Sequence, residues 1–210
     1  MSTSTLRVEH WHVSKPVARG RKGVVAAQNA QAAEVGIETL KAGGNAIDAA
    51  LATAFALAVT EPWMSGLGGC GYMVIHDAAR GKTSVIDFGT RAPKALDPAA
   101  YPLAEGASVD NDLFGWPEVL EDRNVYGPLS IGLPSSVAGF ALAANRFGKL
   151  PWSELLRPAI ALAKTGHRVD WWTTLKVAGD AAALRKNPAA AAVYLPNGLP
   201  PVAPDMGSQH

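Results

Sequence analysis

The stretch Gly43-Gly44-Asn45-Ala46-Ile47-Asp48-Ala49-Ala50 lies at the junction of two predicted helices. The glycine pair is typical of a helix C terminus, because glycine ends a helix without a steric penalty. Asn45, followed three residues later by Asp48, resembles a capping box with the shorter acid, and predicts that a helix begins at Ala46. This helix, residues 46–59, is apolar nearly all round, so we expect other elements to cover it on most sides.

Further regular elements are predicted on both sides of this junction. Residues 31–42 have the apolar spacing of an amphipathic helix, and residues 24–27 form a short apolar run typical of a buried strand. Residues 72–77 and 83–88 predict an antiparallel hairpin, joined by a polar loop that contains Gly81. Both of these strands are continuously apolar, which favours a sheet covered on both faces.

The second half of the chain is predicted to be mainly helical. Helices are expected over residues 135–147, 153–164 and 171–186. Prolines and acidic patches interrupt every hydrophobic period, helical or strand-like, in residues 95–129, which predicts a long ordered loop. Residues 195–210 contain four prolines and have no hydrophobic period either.

The composition excludes several classes of protein. A chain of 210 residues with 48% hydrophobic and 18% charged positions is expected to form one globular domain or part of one. The formal charge of +1 predicts neither nucleic acid nor an anionic membrane surface as a partner. The single cysteine, Cys70, excludes an intramolecular disulfide and a cysteine-based zinc cluster.

The amino-terminal residues predict a protein that is not exported. Arg7 and Glu9 stand where a secretory signal has its apolar stretch, so we expect a cytoplasmic protein. The longest apolar run, residues 49–59, has about half of the roughly 20 residues that a membrane-spanning helix needs. We therefore expect no association with a membrane.

Residues 66–71 match the spacing G-x-G-x-x-G of a dinucleotide-binding turn. Such a turn follows a strand and opens a helix, whereas here a helix precedes and a strand follows. We therefore interpret this segment as a tight backbone turn and expect no cofactor. Cys70 lies within it; since no activating base is identifiable nearby, a small buried side chain is favoured over a nucleophile.

Two other patterns have structural interpretations that are favoured over functional ones. His10 and His12 would lie on one face of a strand, but no third ligand is identifiable, so we expect no metal site. Trp171 and Trp172 are suited to stacking on a ligand, yet aromatic residues at a helix start more often serve packing or an interface.

Arg91 is the residue that we single out as a candidate for substrate binding. It follows the second strand of the hairpin directly, and a guanidinium there can bind a carboxylate through two charge-assisted hydrogen bonds. The alternative is a surface arginine that pairs with Asp87 or with solvent.

Several stretches, taken together and in this order, resemble the large subunit of gamma-glutamyltransferases. The resemblance covers roughly residues 23–169 and is carried by Gly23-Val24-Val25-Ala26, by residues 43–50, by Glu61-Pro62 leading into Ser65-Gly66-Leu67-Gly68-Gly69-Cys70-Gly71-Tyr72-Met73, by Pro134-Ser135-Ser136-Val137-Ala138-Gly139, and by Leu150-Pro151 continuing through Pro158-Ala159-Ile160-Ala161-Leu162-Ala163 to Gly166. It implies an α+β fold, an N-terminal-nucleophile hydrolase-like αββα sandwich, of which this chain is an incomplete part. The implied division is an N-terminal extension over residues 1–22 and the large-subunit part over residues 23–210.

The resemblance also implies how the chemistry is done. Such enzymes are made as one precursor that cleaves itself, and the new N-terminal threonine of the small subunit attacks an amide carbonyl. Water or an acceptor amine then resolves the acyl-enzyme, and no metal or cofactor is needed. The implied partner of this chain is that small subunit, in a heterodimer or a higher oligomer, and no catalytic residue is assigned to the chain itself.

Two departures from the family pattern bear on this interpretation. The family commonly has an arginine at the position of Gly89, where it holds the α-carboxylate of the γ-glutamyl group, whereas the arginine here is Arg91. In a strand this shift of two residues keeps the same face but moves the side chain by roughly 6 to 7 Å. The catalytic threonine of the family also lies beyond the segment that ends here, and Ser2 and Thr3 are not suited to replace it.

Three functions therefore follow as hypotheses. The first is a gamma-glutamyltransferase-like amidase, acting on γ-glutamyl compounds such as glutathione by hydrolysis or acyl transfer, with Arg91 orienting the substrate carboxylate. The second is an amidohydrolase or acylase for another small amide, oxamate-like or cephalosporin-like. The third is a noncatalytic ligand-binding module on the same scaffold.

Overall fold

The computed structural model describes residues 17–108 and 115–203. Its regular elements, apart from short 3₁₀ turns, are α1 Ala30–Lys41, α2 Ala46–Thr60, α3 Pro62–Ser65, β1 Gly71–Asp77, β2 Lys82–Phe88, β3 Leu103–Ser108, β4 Pro117–Val119, α4 Ser136–Phe147, α5 Trp152–Thr165, α6 Trp171–Gly179, α7 Ala181–Arg185 and α8 Pro188–Tyr194. No helix within these ranges is both long and apolar enough to cross a bilayer.

The junction between α1 and α2 is built as the local sequence predicts. Helix α1 ends at Lys41, and Gly43 has a φ of +94°, a conformation that glycine adopts at no steric cost. Asn45 Oδ1 accepts the backbone N–H of Asp48, and Asp48 Oδ2 accepts the backbone N–H of Asn45, which completes the capping box. The prediction of two consecutive helices here is confirmed.

Strands β1 and β2 form the predicted antiparallel hairpin, with Met73 opposite Ile86 and Tyr72 opposite Asp87. One face of the hairpin is buried in the main core, where it meets α2, α4 and α5; the buried core residues are Leu51, Ile75, Ile86, Phe88, Ala143 and Leu155. On the opposite face Tyr72 and Val74 are each 70% exposed. The prediction of a sheet covered on both faces is therefore wrong for this chain, because no described element packs on that second face.

Residues 24–27 have no regular secondary structure and belong to no strand, so the prediction of a buried strand there is wrong. Val24 is exposed, and Val25 lies against Gly36 of α1 instead of in a sheet. The physical reason is that a strand needs a neighbour to supply ladder hydrogen bonds, and no described strand lies beside this segment.

Two other predictions need correction. The expected long loop contains the short antiparallel pair β3 and β4. The single helix expected over residues 171–186 is divided into α6 and α7 at Asp180, next to Gly179. Glycine and aspartate have low helix propensity, so the chain breaks where the two are adjacent.

The described chain thus combines helices with two small sheets, and its main core lies between helices α2, α4 and α5 and one face of the β1–β2 hairpin. A second, smaller core of Val177, Ala181 and Leu195 holds α6, α7 and α8 together. The division between an extension over residues 1–22 and the remainder stays a prediction.

Candidate substrate-binding site

The glycine-rich segment 66–71 connects α3 to β1, so a helix precedes it and a strand follows it, as predicted. The carbonyl oxygen of Gly69 accepts the backbone N–H groups of both Ser135 and Ser136, each at 3.1 Å. Ser135 Oγ in turn donates to the carbonyl oxygen of Phe88 at 2.6 Å. These bonds bring together the glycine turn, the end of β2 and the start of α4.

Arg91 lies beside this meeting point. Its carbonyl oxygen accepts the backbone N–H of Leu133 at 2.9 Å, which places the residue next to the segment that leads into α4. The side chain is exposed, and within the described residues its guanidinium forms no ion pair. In particular, Asp87 does not pair with it: Asp87 Oδ1 accepts the backbone N–H of Gly89 at 2.8 Å.

A cavity of about 270 Å³ opens beside Arg91. Its walls are mainly apolar, and three polar side chains, those of Asp87, Arg91 and Ser135, contribute to them; the other lining residues are Ile86, Phe88, Gly89, Leu133, Ala138, Gly139 and Leu142. An apolar pocket with a few polar groups is the usual form of a small-molecule site. Arg91 therefore lines a mainly apolar cavity, and its role in binding a substrate carboxylate stays a prediction.

Cys70 is exposed, so the prediction of a buried side chain is wrong. The glycine turn that carries it has little side-chain bulk, and nothing in the described chain covers it. Its sulfur accepts a hydrogen bond from Thr90 Oγ1. A neutral hydroxyl provides neither a general base nor a positive charge, so this contact does not activate the thiol as a nucleophile.

The remaining candidates are not brought to this cavity. The Trp171 and Trp172 rings pack edge to face with centroids 5.5 Å apart, and Lys176 Nζ lies 4.6 Å from the centre of the Trp172 ring. His10 and His12, like Ser2 and Thr3, lie outside the described residues. Within residues 17–108 and 115–203 no group of three or more His, Cys, Asp or Glu side chains is suited to hold a metal ion.

Two titratable residues near Asp170, Glu61 and His167, were not identified from the sequence. Burial raises the pKa of the Glu61 carboxyl, and the negative charge of Asp170 raises it further. Burial lowers the pKa of His167, whereas Asp170 acts in the opposite direction. Asp170 itself caps α6 by accepting the backbone N–H of Thr173 at 2.7 Å. Only the cap has a local sequence signal; the proximity of Glu61 arises from tertiary packing.

A sequence model described as Gamma-glutamyltranspeptidase matches residues 32–210. The chain therefore belongs to the gamma-glutamyltranspeptidase family, as its resemblance predicted. It is 44% identical over 147 residues to the glutathione hydrolase proenzyme of Pseudomonas aeruginosa, a match that covers 70% of this chain and 24% of that protein. It is 37% identical over 195 residues to the acylase ACY 1 proenzyme of Pseudomonas sp. strain V22, covering 92% of this chain and 34% of that protein.

The fold is confirmed by comparison with solved structures. Gamma-glutamyltranspeptidase of Helicobacter pylori superposes with a TM-score of 0.75 at 29% identity, over 88% of this chain and 50% of that one. The chain is thus the large-subunit part of an α+β N-terminal-nucleophile hydrolase domain, as predicted. The matched regions span 24% and 34% of the lengths of the two relatives described above, so the activities in their names are those of much longer proteins.

Proposed function

We propose that this chain is the large-subunit part of a gamma-glutamyltranspeptidase-type amidase that cleaves an amide of a carboxylated substrate, such as glutathione, by hydrolysis or acyl transfer. Family membership over residues 32–210 supports the reaction class. The observation that carries the substrate assignment is Arg91, a guanidinium without an ion pair among the described residues that lines a largely apolar cavity. Its two charge-assisted hydrogen bonds would hold the substrate carboxylate.

The nucleophile belongs to another segment or chain in this proposal. The word "proenzyme" in the names of two relatives supports a precursor that is cut into two subunits, of which the smaller begins with threonine. The threonine oxygen would form an ester with the acyl carbon as the amide C–N bond breaks, and the amine would leave with a proton. Water or an acceptor amine would then attack that ester and regenerate the hydroxyl.

Acylase activity on a different carboxylated amide is a second candidate. It is favoured by the position of Arg91 two residues beyond Gly89, and by 37% identity to a relative named as an acylase. Both candidates require amide cleavage and differ in the acyl group. Localisation in the cytoplasm stays a prediction.

The test is expression of the complete precursor that contains this chain, followed by intact-mass measurement and assay. We expect two polypeptides from one precursor and release of nitroaniline from γ-glutamyl-p-nitroanilide. Cleavage of glutaryl-p-nitroanilide or cephalosporin-type amides with no action on the γ-glutamyl compound would support the acylase instead. A single uncut polypeptide that binds these compounds without cleaving any of them would overturn both and support the noncatalytic module.

A further inference from the structure

A second cavity is lined by residues of α3, α6, α7 and α8, and it shares no lining residue with the cavity beside Arg91. Its volume is about 200 Å³, and Trp63 and Tyr194 supply aromatic walls. Its aliphatic lining residues are Pro62, Val177 and Leu184. An apolar cavity of about 150 Å³ is enough to bind benzene, so this cavity accommodates a single aromatic ring with a short side chain. Its size and its lining are thus those of a site for a small aromatic molecule.

Lys176 places a positive charge at this cavity. The residue is half-buried, and its Nζ lies 4.6 Å from the centre of the Trp172 ring. This cation–π contact holds the ammonium in place without neutralising it, and Lys176 forms no ion pair with any described residue. A half-buried ammonium attracts an anion more strongly than a fully hydrated one, because less water screens the interaction.

Asp180 also lines the cavity, and its negative charge opposes the binding of an anion. Asp180 is exposed, however, whereas Lys176 is half-buried. Solvent therefore screens the charge of Asp180 more effectively than that of Lys176. The balance of the two charges favours an anionic ligand.

We propose that this cavity is a binding site for small aromatic carboxylates. The ring of the ligand packs against Trp63 and Tyr194, and its carboxylate accepts a charge-assisted hydrogen bond from Lys176 Nζ. The ligand is bound without covalent chemistry, so the site is independent of the amide-cleaving reaction proposed above.

The test is calorimetric titration of the complete processed enzyme with phenylacetate. All proteins carry Arg91→Ala, so that the Arg91 guanidinium binds no carboxylate. We expect one equivalent to bind with a Kd of about 1 mM or lower. Acetate, which has the charge without the ring, and 2-phenylethanol, which has the ring without the charge, should each bind at least about tenfold more weakly. Phenethylamine, which has the ring with a positive charge, should also bind more weakly than phenylacetate.

Three further variants, made in the same background, test the two charges. Lys176→Gln keeps a polar side chain without the charge, and is expected to weaken phenylacetate binding at least about tenfold while leaving the Kd of 2-phenylethanol unchanged. Lys186→Gln is the matched control, because Lys186 is an exposed lysine that does not line the cavity, and the Kd should not change. Asp180→Asn removes the opposing charge and is expected to strengthen phenylacetate binding by up to about fivefold.

Three results would overturn the site. The first is that phenylacetate does not bind to the processed enzyme. The second is tighter binding of phenethylamine than of phenylacetate, which would assign the cavity to a cation held by Asp180. The third is an equal Kd for phenylacetate with and without Lys176→Gln. Because binding is measured directly, each of these results leaves the proposed amidase standing, and failure of the amidase leaves the binding site standing.

Discussion

The Asp48 carboxylate accepts the backbone N–H of Lys149, which is 101 residues further along the chain, with both oxygens at 3.1 Å. The same carboxylate accepts the N–H of Leu150 at 3.3 Å and that of Asn45 at 2.8 Å. Asp48 is fully buried, so its side chain joins the start of α2 to the turn between α4 and α5. A residue that caps one helix thereby also fixes the connection between two others.

Asp48→Ala is therefore expected to destabilise the protein by about 2 to 4 kcal/mol, because several backbone donors are left without their acceptor at once. Urea unfolding of the complete enzyme measures the change. Asp77→Ala, which removes a carboxylate that accepts backbone N–H groups in an exposed turn, is the matched control and should cost far less. Equal losses in the two variants would contradict the role given to Asp48.

Gly139→Ala is expected to destabilise the packing of α4 on β2. An added Cβ would overlap the ring of Phe88, a rigid aromatic side chain that is itself buried. Overpacking of this kind typically costs about 1 to 3 kcal/mol. The control is Gly179→Ala in α6, where an added Cβ meets no atom within 4 Å and the higher helix propensity of alanine should stabilise slightly. A stable Gly139→Ala variant would show that α4 can shift away from the sheet.

Arg91→Ala is expected to raise KM for the carboxylated substrate strongly, since removing both charge-assisted hydrogen bonds costs on the order of 2 to 4 kcal/mol. Steady-state kinetics on γ-glutamyl-p-nitroanilide measures the effect. Arg91→Lys keeps the positive charge but not the bidentate geometry, so its KM should lie between that of the wild type and that of Arg91→Ala. The control is Arg80→Ala, at the turn end of the hairpin, for which kinetics should not change. Unaltered kinetics in Arg91→Ala would remove the role of Arg91.

The raised pKa of Glu61 predicts a pH-dependent contribution to stability. Because the folded state favours the protonated carboxyl, this contribution is fully present below the ordinary value of 4.5 and is lost as pH rises through the folded-state pKa. Glu61→Gln stays neutral at every pH. Its stability relative to the wild type should therefore increase as the pH rises from 4.5 through the folded-state pKa of Glu61. Urea midpoints across pH 4 to 8 measure this, and parallel profiles for the two proteins would refute it.

His167 predicts the opposite dependence. Its lowered pKa means that the folded state favours the neutral imidazole, so stability is retained above the ordinary value of 6.5 and is lost as pH falls through the folded-state pKa. His167→Gln should flatten the wild-type loss on the acid side of that value. The pKa itself is measurable by NMR titration of the ring protons; a value at or above 6.5 would contradict the prediction.

Much of the local architecture is determined by the sequence alone. The capping box at Asn45, the glycine stop at Gly43 and the hairpin are made of interactions within one helix end or between two consecutive strands, and such interactions leave a pattern in the sequence. The ordered resemblance over residues 23–169 likewise identified the family. Arg91 was singled out as a candidate because its chemistry and its place after a strand can both be seen without coordinates.

Only the tertiary structure decided which surfaces meet. It left Cys70 and one face of the hairpin exposed, and it placed Glu61 near Asp170. These features depend on contacts between segments that are distant in the chain. Burial and charge separation are properties of the assembled surroundings of a residue, and no short stretch of sequence contains them.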